Sequence, residues 1–410
     1  MQKKMKQFSF WLFILIVAQV SISAQEPAHD WNQFRGSDRN GIYPEKGLLT
    51  EWPENGPELL WKKKITDSFS EVVISDNILF TCCSDTLESP GSEYVAAYKI
   101  ENGEEIWKTR IDSIFIDPDG WGNGPRSTPY VDENLVFAQS SFGKLIAVDK
   151  LTGELKWQLD FMKEFGTIRP RWGYARTISI VGDIIFAFTG GTEGKAFAGI
   201  NKKTGKVVWT TGKGDFESYS SPLVVNIDGA TNIVMAHDTM LTSLNEKGEV
   251  LWTYRMPTVA GNSMPVFVEP NKFFVSRVSR VGSFLIEVNG KEAKPVWDNP
   301  TMQCNWSTPV YYNGYIYGFG KSSLQCISIE DGNAIWSKRG YGKGSAILVD
   351  GKLIAITERG TMNLVEATPE AYIEKGSFLA IDGKSWTAPS FYDGKVFLRN
   401  LTEMVAYKLK

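Results

Sequence analysis

Histidine and cysteine are scarce in this 410-residue chain, which contains two histidines, His29 and His237, and four cysteines. A metal site built from histidines is therefore nearly excluded, and the absence of a C-x-x-C-H motif excludes an attached c-type haem. A classical hydrolase is not expected, because no G-x-S-x-G motif accompanies His237, which we predict to be a loop histidine. Lysine and arginine number 44 against 47 acidic residues, a net charge of -3. Without an excess of positive charge, nucleic acid is not an expected partner.

The amino terminus has the pattern of a secretory signal peptide. Lys3, Lys4 and Lys6 precede an apolar run from Phe8 to Val20, and small residues follow that run. The run is shorter than the ~20 residues that span a bilayer. We predict a signal peptide over residues 1–24 and export to the periplasm or beyond, with a permanent amino-terminal anchor as the alternative. We expect no lipid anchor, because no cysteine lies near the cleavage site, and no transmembrane segment in the mature chain.

Tryptophan recurs at intervals of 39 to 52 residues through most of the remaining chain. Several copies follow a turn-like dipeptide, such as Thr152-Gly153 before Trp157. The recurring residues are Trp61, Trp107, Trp157, Trp209, Trp252, Trp297 and Trp336. A repeat of this length is typical of a propeller or a solenoid.

Each repeat contains four short β-rich runs, which we call strands A to D, separated by turn residues. Turns such as Asn313-Gly314 and Asp393-Gly394 favour A–B hairpins, and eight such hairpins can be counted. The last repeat ends after its third strand, whereas the strand Pro57 to Ile65 has no strands before it, so each should complete the other. We therefore predict an all-β fold: a single eight-bladed β-propeller of four-stranded antiparallel blades over residues 57–410, closed by the two terminal strands. Residues 25–56 form a lead-in segment.

The recurring tryptophans have a structural interpretation. Each occupies one position of its blade, where it can wedge against the neighbouring blade. Burial of roughly 200 Å² of indole surface, at about 25 cal/mol per Å², is worth up to ~5 kcal/mol before entropy is counted. In the seventh blade, Tyr372 or Ile373 is expected to stand at this position.

The segment Ala147 to Trp157 (AVDKLTGELKW) resembles the tryptophan-docking motif of the pyrroloquinoline quinone (PQQ) propeller repeat family. Weaker copies end at Trp107, Trp209, Trp252 and Trp336, so the resemblance covers residues 57 to 410. That family contains PQQ-dependent dehydrogenases, a non-catalytic outer-membrane assembly lipoprotein and many exported proteins of unknown role. The lead-in, with Trp31-Asn32-Gln33-Phe34-Arg35-Gly36, resembles the last group most. The resemblance implies a BamB-like or PQQ-like β-propeller and leaves the function open.

Three loops on one face of the predicted propeller are longer than the rest. They are the B–C loop of blade 1, Cys82 to Tyr94, and the D–A loops Asp112 to Arg126 and Asp160 to Gly173. Long loops on a rigid scaffold often bind ligands, and tryptophan and arginine are enriched in binding hot spots. The candidate ligand- or partner-binding residues are Trp121, Arg126, Arg169, Arg171, Trp172, Cys82 and Cys83. The alternative is a group of loops that pack on one another, with Asp117-Pro118-Asp119-Gly120 as a turn.

The cysteines leave two disulfide questions open. The resemblance suggests a vicinal disulfide between Cys82 and Cys83, since some PQQ dehydrogenases place such a disulfide above the quinone. Adjacent strand residues, however, normally point to opposite faces, and the eight-membered ring is strained. Cys304 and Cys326 could bridge in an oxidising compartment.

Two functions remain in competition. We favour an exported, non-catalytic binding or scaffold propeller with a protein or carbohydrate ligand and no cofactor. The alternative is a PQQ- and calcium-dependent alcohol or sugar dehydrogenase, which would need carboxylate and amide oxygens around calcium, an aspartate base and an aromatic floor. Asp215, Glu217, Asn262 and Asn305 could supply oxygens, but their spacing forms no recognisable cluster. We therefore assign no catalytic residue and no metal ligand.

Overall fold

The computed structural model describes residues 29–85, 91–213, 218–259 and 261–410. The predicted signal peptide, residues 1–24, lies outside these ranges, as do Asp215 and Glu217. Within the described ranges, no helix combines the length and the apolar character that a membrane crossing requires.

The described residues form eight four-stranded antiparallel blades in chain order. Within a blade each strand is hydrogen-bonded to the next one along the chain, except where the two strands that precede blade 1 join the sheets of blades 7 and 8. The prediction of an eight-bladed β-propeller is confirmed. Two strands precede the first blade: β1 (Ile42–Tyr43) and β2 (Leu59–Lys64).

The strands of blades 1 and 2 are β3 (Val73–Ser75), β4 (Ile78–Asp85), β5 (Ser92–Lys99), β6 (Glu105–Ser113), β7 (Tyr130–Asp132), β8 (Leu135–Gln139), β9 (Lys144–Asp149) and β10 (Leu155–Asp160). A five-residue helix, α1 (Phe161–Phe165), follows blade 2. The strands of blades 3 and 4 are β11 (Ser179–Val181), β12 (Ile184–Phe188), β13 (Phe197–Asn201), β14 (Val207–Thr211), β15 (Leu223–Ile227), β16 (Ala230–His237), β17 (Met240–Leu244) and β18 (Val250–Arg255).

The strands of blades 5 and 6 are β19 (Val266–Val268), β20 (Lys272–Ser276), β21 (Ser283–Asn289), β22 (Glu292–Asn299), β23 (Val310–Tyr312), β24 (Tyr315–Phe319), β25 (Ser323–Ser328) and β26 (Ala334–Arg339). Those of blades 7 and 8 are β27 (Gly344–Val349), β28 (Lys352–Thr357), β29 (Thr361–Glu366), β30 (Glu374–Leu379), β31 (Ser390–Tyr392), β32 (Lys395–Arg399) and β33 (Glu403–Lys408).

The two ends of the propeller complete the eighth blade together. Strand β2 pairs antiparallel with β33, with Leu59 opposite Tyr407 and Lys64 opposite Glu403. The predicted ring closure is therefore confirmed, and it covers what would otherwise be an open sheet edge.

The A–B hairpins turn where the sequence places residues that tolerate positive φ. Asn313 and Gly314 have φ values of 48° and 86°, and Asp393 and Gly394 have values of 47° and 69°. Positive φ at both central residues matches the right-handed twist of the strands on either side.

The recurring tryptophans connect neighbouring blades. The Nε1 of Trp157 in blade 2 donates to the carbonyl of Lys202 in blade 3 at 2.9 Å. A Cβ on Gly205, in the turn before the next tryptophan strand, would lie 2.6 Å from the Trp157 ring, so only glycine fits there. The equivalent nitrogens of five further residues donate to the following blade: Trp61, Trp107, Trp209, Trp297 and Trp336. Trp252 differs, because it donates to Asn232 of its own blade at 2.9 Å.

Blade 7 has a glycine at the tryptophan position. In blade 6, Trp336 lies opposite Cys326, immediately before the register shift between the C and D strands. Gly376 has the same place in blade 7, opposite Leu364. The prediction that Tyr372 or Ile373 takes this position is therefore wrong.

Phe378 provides the ring on which Gly56, the turn glycine before Trp61, packs, and the lead-in covers Gly376. A Cβ on Gly376 would lie 2.6 Å from the Cβ of Trp52, and the amide of Trp52 donates to the carbonyl of Lys375 at 2.8 Å. The Trp52 ring also meets Phe378 edge to face, at a centroid distance of 5.8 Å. Trp52 itself is buried.

The lead-in also crosses the axial channel. Trp31 forms a bridge with Ile74 of blade 1, and β1 runs parallel to the innermost strand of blade 7. Between them, the buried guanidinium of Arg39 donates to Thr177 Oγ1 at 2.8 Å and to the carbonyl of Pro222 at 3.0 Å, at the entry to blades 3 and 4. Arg35, also buried, donates to carbonyls at the entry to blades 6 and 7. The two arginines therefore tie the lead-in to opposite sides of the ring.

Candidate binding site

A cavity of about 380 Å³ lies where the D–A connections meet around the axis. Each of the eight connections contributes a lining side chain, and Phe34 of the lead-in contributes to the lining from within the channel. In ring order from the connection before blade 1, these are Phe69, Trp121, Trp172, Tyr219, Asn262, Trp306, Lys343 and Trp386. The cavity is thus a property of the whole ring and not of one sector.

One side of the cavity is an aromatic wall centred on Trp386. The Trp306 ring stacks on Trp386 at a centroid distance of 4.6 Å and an interplanar angle of 29°. Phe69 stacks on Trp386 at 5.6 Å, and Trp121 lies at the same distance with a tilt of 39°. Together they present a largely apolar surface to the cavity.

Two lysines lie against this wall. The Nζ of Lys343 stands 4.9 Å from the centre of the Trp306 ring. The Nζ of Lys384 stands 4.8 Å from the Trp386 ring and donates to the carbonyl of Trp121 at 2.7 Å. The aromatic wall therefore already has ammonium groups on its faces.

Asp117 organises the loop between blades 1 and 2. Its Oδ1 accepts the amides of Asp119 and Trp121 at 2.8 and 3.1 Å, so this stretch forms a turn, as expected. Its Oδ2 forms a very short contact with Arg126, whose Nε donates to the carbonyl of Trp172 at 2.6 Å. Asp117 and Arg126 neutralise one another beside the cavity, and the Arg126 side chain is only 9% exposed.

Asp119 joins this loop to the next one. Its carboxylate accepts from Nη2 and Nε of Arg171 at 2.6 and 3.1 Å and from Nε1 of Trp172 at 2.7 Å. These hydrogen bonds hold the pKa of Asp119 below its ordinary value. The amide of Trp172 contacts the Tyr219 hydroxyl at 3.3 Å, which continues the link to the connection before blade 4.

The structure divides the predicted site residues into two groups. Trp121, Arg126 and Trp172 line the cavity, and Arg171 holds Asp119 beside it while its own side chain stays exposed. Arg169 instead packs its guanidinium over Phe115 at 5.0 Å, where it supports the loops. The loops therefore pack on one another and also line a cavity.

Cys82 and Cys83 do not line the cavity. The predicted B–C loop from Cys82 to Tyr94 is wrong at both ends, because Cys82 pairs with Val95 and Cys83 with Tyr94 inside the sheet. Alternation along the strand sends Cys82 into the core between blades 1 and 2 and Cys83 into the core on the other side of the blade. Both thiols are unpaired and buried, and burial raises the pKa of each.

The other two cysteines are likewise unpaired and buried. Cys304 lies in the core shared by blades 5 and 6, whereas Cys326 lies in the core shared by blades 6 and 7. Burial raises the pKa of each thiol to about 11. The structure thus separates the pair that the sequence allowed to bridge.

Several cavity residues escaped the sequence interpretation. Trp306 and Trp386 lie outside the tryptophan repeat, in connections whose length is ordinary. Each comes three residues before a proline that precedes strand A, in Trp306-Ser307-Thr308-Pro309 and Trp386-Thr387-Ala388-Pro389. This shared W-x-x-P pattern was the available signal.

The two glutamates whose pKa is raised have structural roles. Burial raises the pKa of Glu71 and of Glu93 to about 7. Glu71 accepts from Nε1 of Trp31 and the amide of Arg35, both at 3.0 Å, and Glu93 accepts the amide of Ser141 at 2.8 Å. Glu71 therefore anchors the lead-in, and Glu93 supports a loop.

His237 is also a core residue. It ends β16 in a buried position, with Nε2 at 2.9 Å from Thr242 Oγ1, and burial lowers its pKa to about 4. The prediction of a loop histidine is wrong, because β16 extends further than the sequence suggested.

These features define the class of protein: an eight-bladed PQQ-like β-propeller with a cavity on its axis and a lead-in that occupies the channel. The family described as outer membrane protein assembly factor BamB matches residues 45–211, 91–302 and 182–385, in overlapping copies. The chain belongs to this family.

Individual relatives fall into two groups. BamB of Shewanella oneidensis is 26% identical over 276 residues, which are 62% of this chain and 66% of that protein. The quinoprotein alcohol dehydrogenase PedH of Pseudomonas putida is 30% identical over 148 residues, which are 34% of this chain and 24% of PedH. The match thus spans less than two thirds of the length of each relative.

A solved structure extends the likeness of fold. BamB from Moraxella catarrhalis superposes with a TM-score of 0.59 at 13% identity, covering 85% of this chain and 98% of that one. At this identity the likeness concerns the fold alone.

Proposed function

We propose that the protein is an exported, non-catalytic β-propeller that binds a partner protein at the axial cavity. The observation that carries the proposal is the convergence of all eight D–A connections on one aromatic cavity. Concave sites lined by aromatic groups and a few polar groups are where proteins of this size usually bind ligands.

The relatives support a protein as the ligand. Several are named as outer membrane protein assembly factors, which suggests that this chain also acts on other exported proteins. The predicted signal peptide fits the same compartment. A carbohydrate, the other ligand class predicted from the sequence, has only the stacking capacity of the tryptophans in its favour.

The chemistry of the cavity supports a non-catalytic role. Among the described lining residues, Asp117 is the one carboxylate, and it is already engaged by Arg126 and two backbone amides. Burial raises the pKa of Glu71 and Glu93 and lowers that of His237, and each of the three makes structural hydrogen bonds. The described residues thus offer no free acid–base pair to a ligand in the cavity.

The PQQ-dependent dehydrogenase is the second candidate. It is favoured by the PedH similarity and by the aromatic wall, beside which Asn262 and Asn305 place amide groups. The described donors do not fit a calcium–quinone site, however. They supply two amides and an already neutralised carboxylate, and no group of three His, Cys, Asp or Glu side chains among the described residues could hold a metal.

Site-specific crosslinking tests the proposed function. A photoreactive amino acid replaces Trp121, whose side chain is 47% exposed at the cavity, and periplasmic extract of the source organism is irradiated with the protein. The matched control carries the same group in place of Leu151, which is 66% exposed in a C–D turn on the opposite face. We expect a discrete protein adduct at position 121 and none at position 151. The same adducts at both positions, or none at 121, would contradict the proposal.

A titration with PQQ and calcium separates the two candidates. Absorbance would report binding of the quinone, and a redox dye would report oxidation of alcohols and sugars. We expect neither saturable binding nor turnover. Saturable binding with turnover would replace the proposed function by the dehydrogenase.

A further inference from the structure

The axial cavity is closed on the side of the lead-in. Phe34 lies in its lining, and behind it Arg35 and Arg39 are 1% and 3% exposed within the channel. A polypeptide therefore cannot pass through the described ring along its axis. Whatever occupies the cavity must enter from the D–A face and end there.

The size and walls of the cavity suit one planar group. Its volume, about 380 Å³, is near the lower end of the range for small-ligand pockets, roughly 300 to 1,000 Å³. Trp306 and Phe69 stack on Trp386, and all three residues line the cavity together with Trp121 and Trp172. An aromatic side chain can stack on such rings or meet them edge to face.

The charges of the cavity favour an anion. The ammonium groups of Lys343 and Lys384 lie over indole faces, which excludes a cage for a cationic ligand because those faces already carry positive charge. Nearby, Asp117 is paired with Arg126 and Asp119 with Arg171. Within the described residues the two ammonium groups contact rings and the Trp121 carbonyl, so each can still donate a hydrogen bond to a carboxylate.

The neighbouring recess does not cancel this preference. It is lined by Glu358, Arg359, Asp382 and Lys384, two charges of each sign. Glu358 accepts the main-chain amide of Lys343 at 3.3 Å, so its carboxylate faces the backbone of that residue.

The surroundings favour a protein over a free small molecule. Ile116 and Ile168, in the two loops that line the cavity, are 62% and 77% exposed, and Trp121 and Trp172 are also exposed. Large exposed apolar side chains grouped around a cavity are typical of a surface that contacts more than the group inside it.

We infer that the axial cavity accepts an aromatic side chain flanked by acidic residues, presented by a segment of the partner protein. The ring would pack against the aromatic wall, and the flanking carboxylates would meet Lys343 and Lys384. The inference rests on the proposed function and adds the chemistry of the partner segment.

Three labelled peptides test this inference by fluorescence anisotropy. The first contains Asp-Trp-Asp between glycines, the second Lys-Trp-Lys and the third Asp-Leu-Asp. We expect the first to bind and each of the others to bind at least about tenfold more weakly, because one loses the charge match and the other the ring. Binding of the first peptide should weaken as salt is raised.

Protein variants locate the effect. Lys343→Met together with Lys384→Met should weaken binding of the acidic peptide by about tenfold or more. The double variant should also lose the preference for the acidic peptide over the lysine peptide. Lys338→Met is the matched control, because Lys338 also lies over an aromatic ring, that of Tyr372 at 5.1 Å, but on an outer strand. It should leave binding unchanged.

Specific results would overturn the inference. Equal binding of the acidic and basic peptides would show that charge does not select the ligand. Equal effects of the control variant and the double variant would show that the peptide does not bind at Lys343 and Lys384. If indole-3-acetate displaced the acidic peptide and bound with the same affinity, the ligand would be a free aromatic acid instead of a protein segment. Failure of all three peptides, with crosslinking at position 121 retained, would reject the inference and leave the proposed function standing.

Discussion

Trp52 of the lead-in lies directly on Gly376 of blade 7, at the position where other blades carry a tryptophan of their own. A segment distant in sequence thus covers this position, and the strand backbone makes room for it. The lead-in is therefore part of the packing of the ring as well as an occupant of its channel.

Replacement of Trp52 by alanine should destabilise the whole propeller. The side chain is 7% exposed, and its loss would open a cavity against Gly376 and Phe378. We expect a loss of about 3–5 kcal/mol in the free energy of unfolding, measured by urea titration. Trp121→Ala, at a side chain that is 47% exposed, is the control and should cost far less. Equal losses in the two variants would show that Trp52 does not complete blade 7.

Deletion of residues 402–410 should disrupt closure of the ring. It removes β33, the strand that joins β2 to β32, and leaves two unpaired edges. The full chain should melt in one cooperative step, whereas the shortened chain should melt at a much lower temperature or aggregate. An unchanged melting temperature would contradict closure by the terminal strands.

Glu71 should make the stability depend on pH. Burial raises its pKa in the folded protein from 4.5 to about 7, so the folded state binds this proton more tightly than the unfolded state. Its contribution to stability is therefore complete below about pH 4.5 and is lost as the pH rises through about 7. In urea titrations from pH 4.5 to 8, wild-type stability should fall relative to Glu71→Gln. Burial lowers the pKa of His237, which has the opposite effect on the pH dependence of stability. His237 is present in both proteins, so its contribution cancels in the difference. A constant difference across this range would contradict the assignment.

Removal of Arg126 should cost more stability than removal of Arg171. Without Arg126, Asp117, whose side chain has no exposed surface, would lose its counter-charge. Loss of one partner of a buried ion pair costs about 3–5 kcal/mol. We expect a loss of this size in the free energy of unfolding of Arg126→Ala, measured by urea titration. Arg171→Ala is the matched control, because Arg171 is 65% exposed. If both variants were equally stable, Arg126 would be a binding residue without a structural role.

The fold was predictable because its signals are local. Pairs such as Asn313-Gly314 identify hairpins, and the spacing of residues such as Trp107 and Trp157 gives the repeat. Closure followed from counting the strands at the two ends. The position of Trp52 was not predictable, because no local pattern links it to Gly376.

The site was only partly predictable. Trp121, Arg126 and Trp172 were found because their loops are long, whereas Trp306 and Trp386 lie in connections of ordinary length. The cavity depends on eight connections that converge only in the closed ring. Cys82 and Cys83 were misassigned because β4 continues beyond them to Asp85. The residues of β4 before them do not alternate regularly between polar and apolar types, so no such pattern marked where the strand ends.

The affinity of the partner for a cavity variant tests the central claim most directly. With the protein captured at position 121 in hand, its Kd would be measured by calorimetry for wild type, for Trp121→Ala combined with Lys384→Met, and for Leu151→Ala. The account predicts at least about tenfold weaker binding by the cavity variant at an unchanged melting temperature, and no change for Leu151→Ala. Wild-type affinity in a stable cavity variant would contradict binding at the axis.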